Sequence, residues 1–302
     1  MFRFLTLSAL VLLSAPAFAQ MANEPTSAVE MSMGDGDYRS KSEDWLIAPG
    51  GHGSVGAGFT FLTADGDLRQ LVDGPRFKFT DVVLLGLQTR YSLGGIAELS
   101  LATTLLPKQP SYTDELVWQS AALGVRIGLT EKLLASMHFS GGPTLADSGG
   151  WAAAQVGLGW RYKLDDFMIL DGGFHGKGTA LFVNEEAPWF AEVMANAQIV
   201  LPAPGIAAGW VGIEFAFPVA SNDTSNFPMD PQTRVNLLIG GILSFVDNWD
   251  VYTTVAMIDR GDVVNVETNL PILDGGFDQV QFTLGITHRF GSDRDENPYS
   301  SR

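Results

Sequence analysis

The chain has 302 residues, with 34 Asp and Glu against 18 Lys and Arg, and no cysteine. Its formal charge of −16 argues against nucleic acid, whose phosphates require a face rich in lysine and arginine. The lack of thiols excludes a disulfide framework, a thiolate metal site and a lipid-anchored cysteine, and no stretch beyond the N-terminus approaches the length of an apolar transmembrane helix.

In chain order, Arg3 supplies a positive start, Leu5 to Leu13 an apolar stretch, and Ala17-Phe18-Ala19 a small-x-small cleavage site. That layout predicts a secretory signal peptide over residues 1–19. Its removal takes away Arg3 and no acid, so the mature charge is −16 − 1 = −17. Residues 20–51 read as a polar periplasmic tail. Its acids Asp35, Asp37, Glu43 and Asp44 lack the ordered oxygen positions and closing glutamate of a calcium loop. Trp45-Leu46-Ile47 is the tail's one apolar knot, able to dock on or inside whatever follows.

From Gly53 the hydrophobic period becomes two. Val55, Ala57, Phe59 and Phe61 alternate with Gly56, Gly58 and Thr60, and Val83 to Tyr91 repeat the pattern against Gln88 and Arg90. Leu99 and Leu101 oppose Glu98 and Ser100. Val117 and Ala121 to Ile127 oppose Trp118, Ser120 and Arg126, and Met137 and Phe139 oppose His138 and Ser140. Further runs set Val156 to Tyr162 against Arg161 and Lys163, Leu170 and Phe174 against Asp171 and His175, and Val193 to Ile199 against Glu192 and Asn196. Val211 to Phe217 face away from Glu214, Val235 to Leu243 from Arg234 and Asn236, and Val251 to Met257 form the eleventh run. The twelfth, Val280 to Phe290, opposes Gln281, Thr283 and Arg289. Alternation sustained over eight or more residues predicts strands with one apolar and one polar face.

The connections alternate in length. Gly94-Gly95, Thr130 to Lys132, Asp165-Asp166, Pro202 to Gly205 and Asp247 to Trp249 are tight. Ala64 to Arg76, Pro107 to Glu115, Gly141 to Gly150, Gly176 to Pro188, Pro218 to Gln232 and Asp259 to Asp278 read as long loops. Short periplasmic turns and long external loops are the outer-membrane arrangement, and an even strand number leaves both termini on the short-turn side. Aromatics sort by height: Phe59, Phe61, Phe79, Phe139, Trp151, Phe174, Trp189, Phe215 and Phe217 at the loop ends, and Tyr91, Trp160, Tyr162, Phe245, Trp249 and Phe290 at the turn ends. Two such rings are expected at two membrane interfaces. The sequence therefore predicts an all-β, transmembrane, antiparallel up-and-down barrel of about twelve strands over residues 52–290, with both termini periplasmic and a C-terminal tail at 291–302.

Residues Gly53 to Phe290 resemble a porin-type outer-membrane barrel, including a last strand, Gln279 to Phe290, that ends in an aromatic. The resemblance implies recognition of that aromatic by the barrel-insertion machinery, and residence in the Gram-negative outer membrane among phospholipid and lipopolysaccharide. The chain departs from the pattern by continuing from Gly291 to Arg302.

With the apolar faces toward lipid, the lumen receives Arg90, Arg126, Arg161, Lys163, Arg234 and Arg289 with Glu98, Asp171, Glu192 and Glu214. Register alone places Glu98 between Arg90 and Arg126 near the turn end. It also gathers Glu192, Glu214 and Arg234 near the loop end of three consecutive strands. Such clusters either select solutes by field and width or hold a narrow barrel shut by ion pairing, and the N-terminal tail is a second candidate for a plug. A narrow channel for small hydrophilic solutes with weak anion preference is the leading expectation. An adaptor barrel with a periplasmic protein partner, serving secretion or surface motility, is the alternative. No enzyme is expected, although His138 and Ser140 resemble the His-x-Ser pair of outer-membrane lipid hydrolases. Both point inward, and no residue at matching register orients the imidazole. His52, His175 and His288 lack metal-ligand spacing, no phosphate-binding glycine motif occurs, and no cofactor is expected. The acidic loops read as a solvated outer face.

Overall fold

The computed structural model describes residues 45–64, 79–108, 115–143, 149–165, 167–183, 187–203, 206–222, 233–246, 248–260 and 279–291. The predicted signal peptide and tail up to residue 44, residues beyond Gly291 and most of the acidic loop residues lie outside them. The strands are β1 (Gly53–Ala64), β2 (Phe79–Leu93), β3 (Ala97–Leu106), β4 (Val117–Thr130), β5 (Leu133–Pro143), β6 (Gly149–Asp165), β7 (Met168–Val183), β8 (Trp189–Ala203), β9 (Ala207–Asn222), β10 (Arg234–Val246), β11 (Trp249–Arg260) and β12 (Gln279–Phe290). Each is antiparallel to its neighbours in sequence, and β1 pairs with β12 to close the barrel. Closure removes the two edges that an open sheet would leave unpaired.

Local chemistry sets the turns. Residues 94–96, 131–132, 166–167, 204–206 and 247–248 connect strands at one mouth, and connections at the other run from 144–148 to 261–278. Across the first turn the Ile96 N–H donates to the Leu93 carbonyl at 3.2 Å, while Gly94 and Gly95 take φ of 61° and 71°. Positive φ at both central residues is the mirror-image turn whose twist matches the flanking strands, and glycine adopts it without steric cost.

The outer surface is apolar on every strand; Val55, Leu101, Leu123, Val156, Leu243 and Ile286 all face out, Leu101 with 53% of its surface exposed. A continuous belt of this kind is far larger than the apolar patches of water-soluble monomers and matches what acyl chains solvate. Tyr91, Tyr162, Trp249 and Phe290 lie exposed toward the turn mouth, and Phe59, Phe61, Phe139, Phe174 and Phe217 toward the loop mouth. The side chains of Phe79 and Phe245 are outside the described residues.

Three expectations need correction. Trp118 does not share the inward face of Ser120. Thr104 pairs with Ser120 and Leu105 with Trp118, so Gln119 is an extra residue, and a bulge of this kind reverses parity beyond it. Trp118 therefore stands outside, its Nε1 donating to Thr103 Oγ1 at 3.0 Å, and Val117 turns inward onto Leu84 and Leu106. Trp151 belongs to no interfacial ring: it shares the parity of Gln155 and Arg161 and is buried. The stretch Gly176 to Pro188 is not all loop, because β7 continues to Val183. Its glycines read as a break, but β6 and β8 supply the ladder partners on both sides.

The interior is divided. On β7 to β11, Ile169, Val200, Ala208, Trp210, Leu238, Ile242, Tyr252, Ala256 and Ile258 form one buried cluster inside the barrel. Trp210 lies across Gly240, and Tyr252 across Gly285; a Cβ at either glycine would overlap the ring. Bulky rings set against bare backbone fill the bore as completely as a protein core. Alternation does not predict this apolar packing, which lies among buried Glu214, Arg234, Asn236 and Asp250 on the same strands.

Candidate functional site: the charged half of the lumen

Buried polar residues line the whole lumen, and most of the charged ones lie on β2 to β8. Glu98, at the start of β3, forms an ion pair with Arg90 on β2 at 3.1 Å and accepts from Arg126 on β4 at 3.2 Å. On the next strands Arg161 donates Nε to Asp171 Oδ1 at 2.7 Å and Nη2 to Oδ2 at 2.8 Å, the bidentate geometry that a planar guanidinium and carboxylate favour. Gln198 adds a donor to Asp171 Oδ2 at 3.3 Å.

Nearer the loop mouth, Glu192 on β8 meets Arg234 on β10 at 3.1 Å. The pair spans β9, where Arg234 stands opposite Ala216, a residue too small to obstruct the crossing. Glu214 Oε1 accepts from Asn236 Nδ2 at 2.9 Å. Arg289 leaves the arc and pairs with Asp250 at 2.8 Å, close to the turn mouth. Lys163, expected in the lumen, is exposed at the rim, since β6 ends two residues later. His138 and Ser140 turn inward, as their parity requires.

Several residues of this site escape the sequence. Asp250 follows a turn tryptophan, and its inward parity is legible only from Tyr252 two positions on. Lys177 falls in a stretch whose glycines suggest a loop; in the barrel it is buried, with 4% of its surface exposed, and stands opposite Glu192. His175, likewise buried, has its Nε2 3.5 Å from Asn196 Nδ2.

The segment Trp45 to Gly51 completes the site. It crosses the turn mouth beneath the charged arc, held mainly through its backbone. Arg161 Nη1 donates to the Trp45 carbonyl at 2.5 Å and Arg126 Nη2 to the Leu46 carbonyl at 3.2 Å. The Ala48 N–H donates to Glu98 Oε2 at 3.4 Å, and Ser92 Oγ donates to the Ala48 carbonyl at 2.5 Å. The Gly51 N–H reaches the Ser92 carbonyl at 3.0 Å. A guanidinium has five donors, so Arg126 and Arg161 each serve a lumenal carboxylate and the strap together.

Leu46 and Arg161 border two cavities. Above them, a cavity of about 60 Å³ is lined by Arg126, His138, Gln155, His175 and Glu214. Below them, a pouch of about 250 Å³ opens among the short turns. Lumenal Met194, Glu192 and Glu214 are almost wholly buried, as they would not be along a wide water-filled pore. Twelve strands stand between the filled eight-stranded barrels and the open porins, and this interior is close to filled.

No protein-family model and no curated protein matches the sequence. Solved structures do match the fold. An outer membrane channel from Pseudomonas putida F1 superposes with TM-score 0.53 at 10% identity, covering 82% of this chain and 98% of the other. The translocator domain of the autotransporter NalP from Neisseria meningitidis superposes with TM-score 0.50 at 11% identity, covering 88% and 98%. One is a channel and the other a translocator domain while their architecture is shared, so the likeness speaks to fold. With its closed meander, apolar exterior and charged interior, this chain has the fold of a twelve-stranded β-barrel of the outer-membrane type.

Proposed function

We propose that the chain is a narrow, gated conduit for small hydrophilic solutes across the bacterial outer membrane. It is exported by a cleaved signal peptide and inserted by the barrel-assembly machinery among phospholipid and lipopolysaccharide, with the short turns in the periplasm. The observation that carries this reading is the position of the strap. It crosses the turn mouth under the charged residues of β2 to β6, and its Leu46 borders both cavities. A permanently solid scaffold has no need to fill one half of its bore with a backbone segment held by hydrogen bonds.

The lining supports a weak preference for anions. Arg90, Arg126, Arg161, Lys177, Arg234 and Arg289 face Glu98, Asp171, Glu192, Glu214 and Asp250, a balance of one positive charge. A field this weak biases passage without barring cations. We assign no catalytic role to His138 and Ser140, which face the lumen and away from lipid.

Conductance of the mature chain in planar bilayers, compared with a form lacking residues 20–51, tests the reading. The expected result is small, infrequent openings in the first and steady, larger steps in the second. Absence of discrete steps in both overturns it. The adaptor reading draws on the packed half of the lumen, a feature of scaffolds; crosslinking that recovers a stoichiometric periplasmic protein, from a barrel without conductance, would establish it instead.

A further inference from the structure

The wall of the cavity above the strap sorts into three kinds of group. Its charged members are already matched: Arg126 serves Glu98 and the Leu46 carbonyl, Arg161 serves Asp171 and the Trp45 carbonyl, and Glu214 accepts from Asn236. Its neutral polar members keep hydrogen-bonding capacity. Ser136 Oγ is buried with no partner in the protein, and half-buried Gln155 borders the same space. Asn196 and Gln198 direct their NH2 groups to His175 and Asp171, and each amide carries a carbonyl acceptor besides. The third kind is apolar: Leu134 and Met194, both almost wholly buried. His138 and His175 lie across Gly124 and Gly157, where a Cβ would overlap the imidazole, so both rings are drawn back against the sheet.

We propose that this cavity binds one small neutral amide, a carboxamide on a short alkyl group. At roughly 10–15 Å³ for each water-sized group, a space of about 60 Å³ takes a solute of about four non-hydrogen atoms. A carboxamide offers N–H donors and a carbonyl acceptor on adjacent atoms. The carbonyls of Asn196 and Gln198 accept from it, and the Ser136 hydroxyl and Gln155 amide can both donate and accept. Its alkyl end lies on Leu134 and Met194, where burying carbon is favourable. One such solute replaces several ordered waters while reproducing their hydrogen bonds. A carboxylate or amidinium of the same outline meets charges already paired with one another, and a buried charge without a partner is strongly disfavoured.

The binding claim concerns the cavity alone; its bearing on passage rests on the gated-conduit reading. Leu46 of the strap forms part of the wall. On that reading a bound amide is held on the lumenal side of the strap until the strap moves, and small neutral amides belong to the solutes that the conduit carries.

Met194 supplies a reporter inside the cavity. In the detergent-solubilised mature chain, labelled at the methionine methyl groups, its resonance is identified by Met194→Leu and followed by nuclear magnetic resonance. Acetamide, acetate and acetamidinium are probes of one shape and three charges. Acetamide is expected to shift the Met194 methyl saturably. Acetate and acetamidinium are expected to need about tenfold higher concentration or more for half the effect, the discrimination due when a buried charge lacks a partner. Gln155→Leu is expected to raise the half-saturating acetamide concentration about fivefold. Ser136→Ala, a smaller change that preserves the barrel should the first variant not fold, is expected to raise it about threefold, as loss of single hydrogen bonds implies. A shift that stays linear in acetamide, which leaves water alone in the cavity, would overturn the proposal. So would equal half-points for the three probes, or saturation unchanged in the variants. A saturable shift in a barrel that passes no current leaves the amide site in place and removes the conduit; discrete current without the shift removes the site alone.

Discussion

The two halves of the lumen solve one problem by opposite means. Between β7 and β11 the bore is closed by side chains: Trp210 and Tyr252 lie on glycines, with Ile169, Val200, Leu238 and Ile242 around them. Between β2 and β8 it is closed by ion pairs and by a separate piece of chain, the strap from Trp45 to Gly51. Apolar packing of this kind has no alternative arrangement of similar energy. Hydrogen bonds to a backbone segment do, since water replaces each at a net cost of only about 1 kcal/mol. On the proposed conduit reading, the first arc serves as the wall and the second as the door.

That contrast can be broken by mutation. The largest expected effect is Trp210→Ala, which empties the packed half and costs about 3–5 kcal/mol, as for buried aromatics elsewhere. The unfolding midpoint in denaturant should fall steeply, with little gain in conductance because the strap still stands in the other half. If conductance instead rose as much as on strap deletion, the division into wall and door would be wrong.

Next comes Glu98→Gln, which leaves Arg90 and Arg126 facing each other without their shared carboxylate. Breaking a buried charge cluster in this way costs about 3 kcal/mol, and it also weakens the Ala48 contact. Both the denaturation midpoint and the frequency of openings should therefore change, a joint response that Trp210→Ala does not give. Strap removal exchanges five contacts to the barrel for contacts with water and leaves the strands and the lumenal ion pairs in place, so conductance rises strongly while the barrel stays folded.

The smallest effect sharpens the comparison at its boundary. Thr60 and Thr283 join hydroxyls at 2.9 Å across the closing β1–β12 seam. Replacing both by Val removes donor and acceptor together and should shift stability by less than about 1 kcal/mol, whereas either single replacement strands a buried hydroxyl and costs more. A double-mutant cycle on denaturant midpoints measures the difference.

Much of this is legible in the residues. Alternation places the strands, the turn glycines mark the first hairpin, and register alone sets Glu98 between two arginines. Alternation is least reliable where both parities are apolar. In Leu237-Leu238-Ile239 and Ile199-Val200-Leu201, a period of two has nothing to distinguish, and such runs are the signature of strands buried on both faces. They are the available sign that half the lumen is packed. Trp118 is misplaced by alternation because a bulge reverses parity without a local signature. Lys177 is missed because glycine suggests a break where neighbouring strands complete the ladder.

The order of strands, their inward and outward faces and the position of the tight turns were determined by the sequence itself, because period and turn chemistry act over a few residues. The tertiary structure alone decided what meets across the bore. Barrel closure with strands tilted and staggered brings Glu192 to Arg234 past an intervening strand. It also brings the Trp45 and Leu46 carbonyls to arginines more than seventy residues away. Those contacts depend on the curvature and shear of a complete sheet, which no short window of sequence contains.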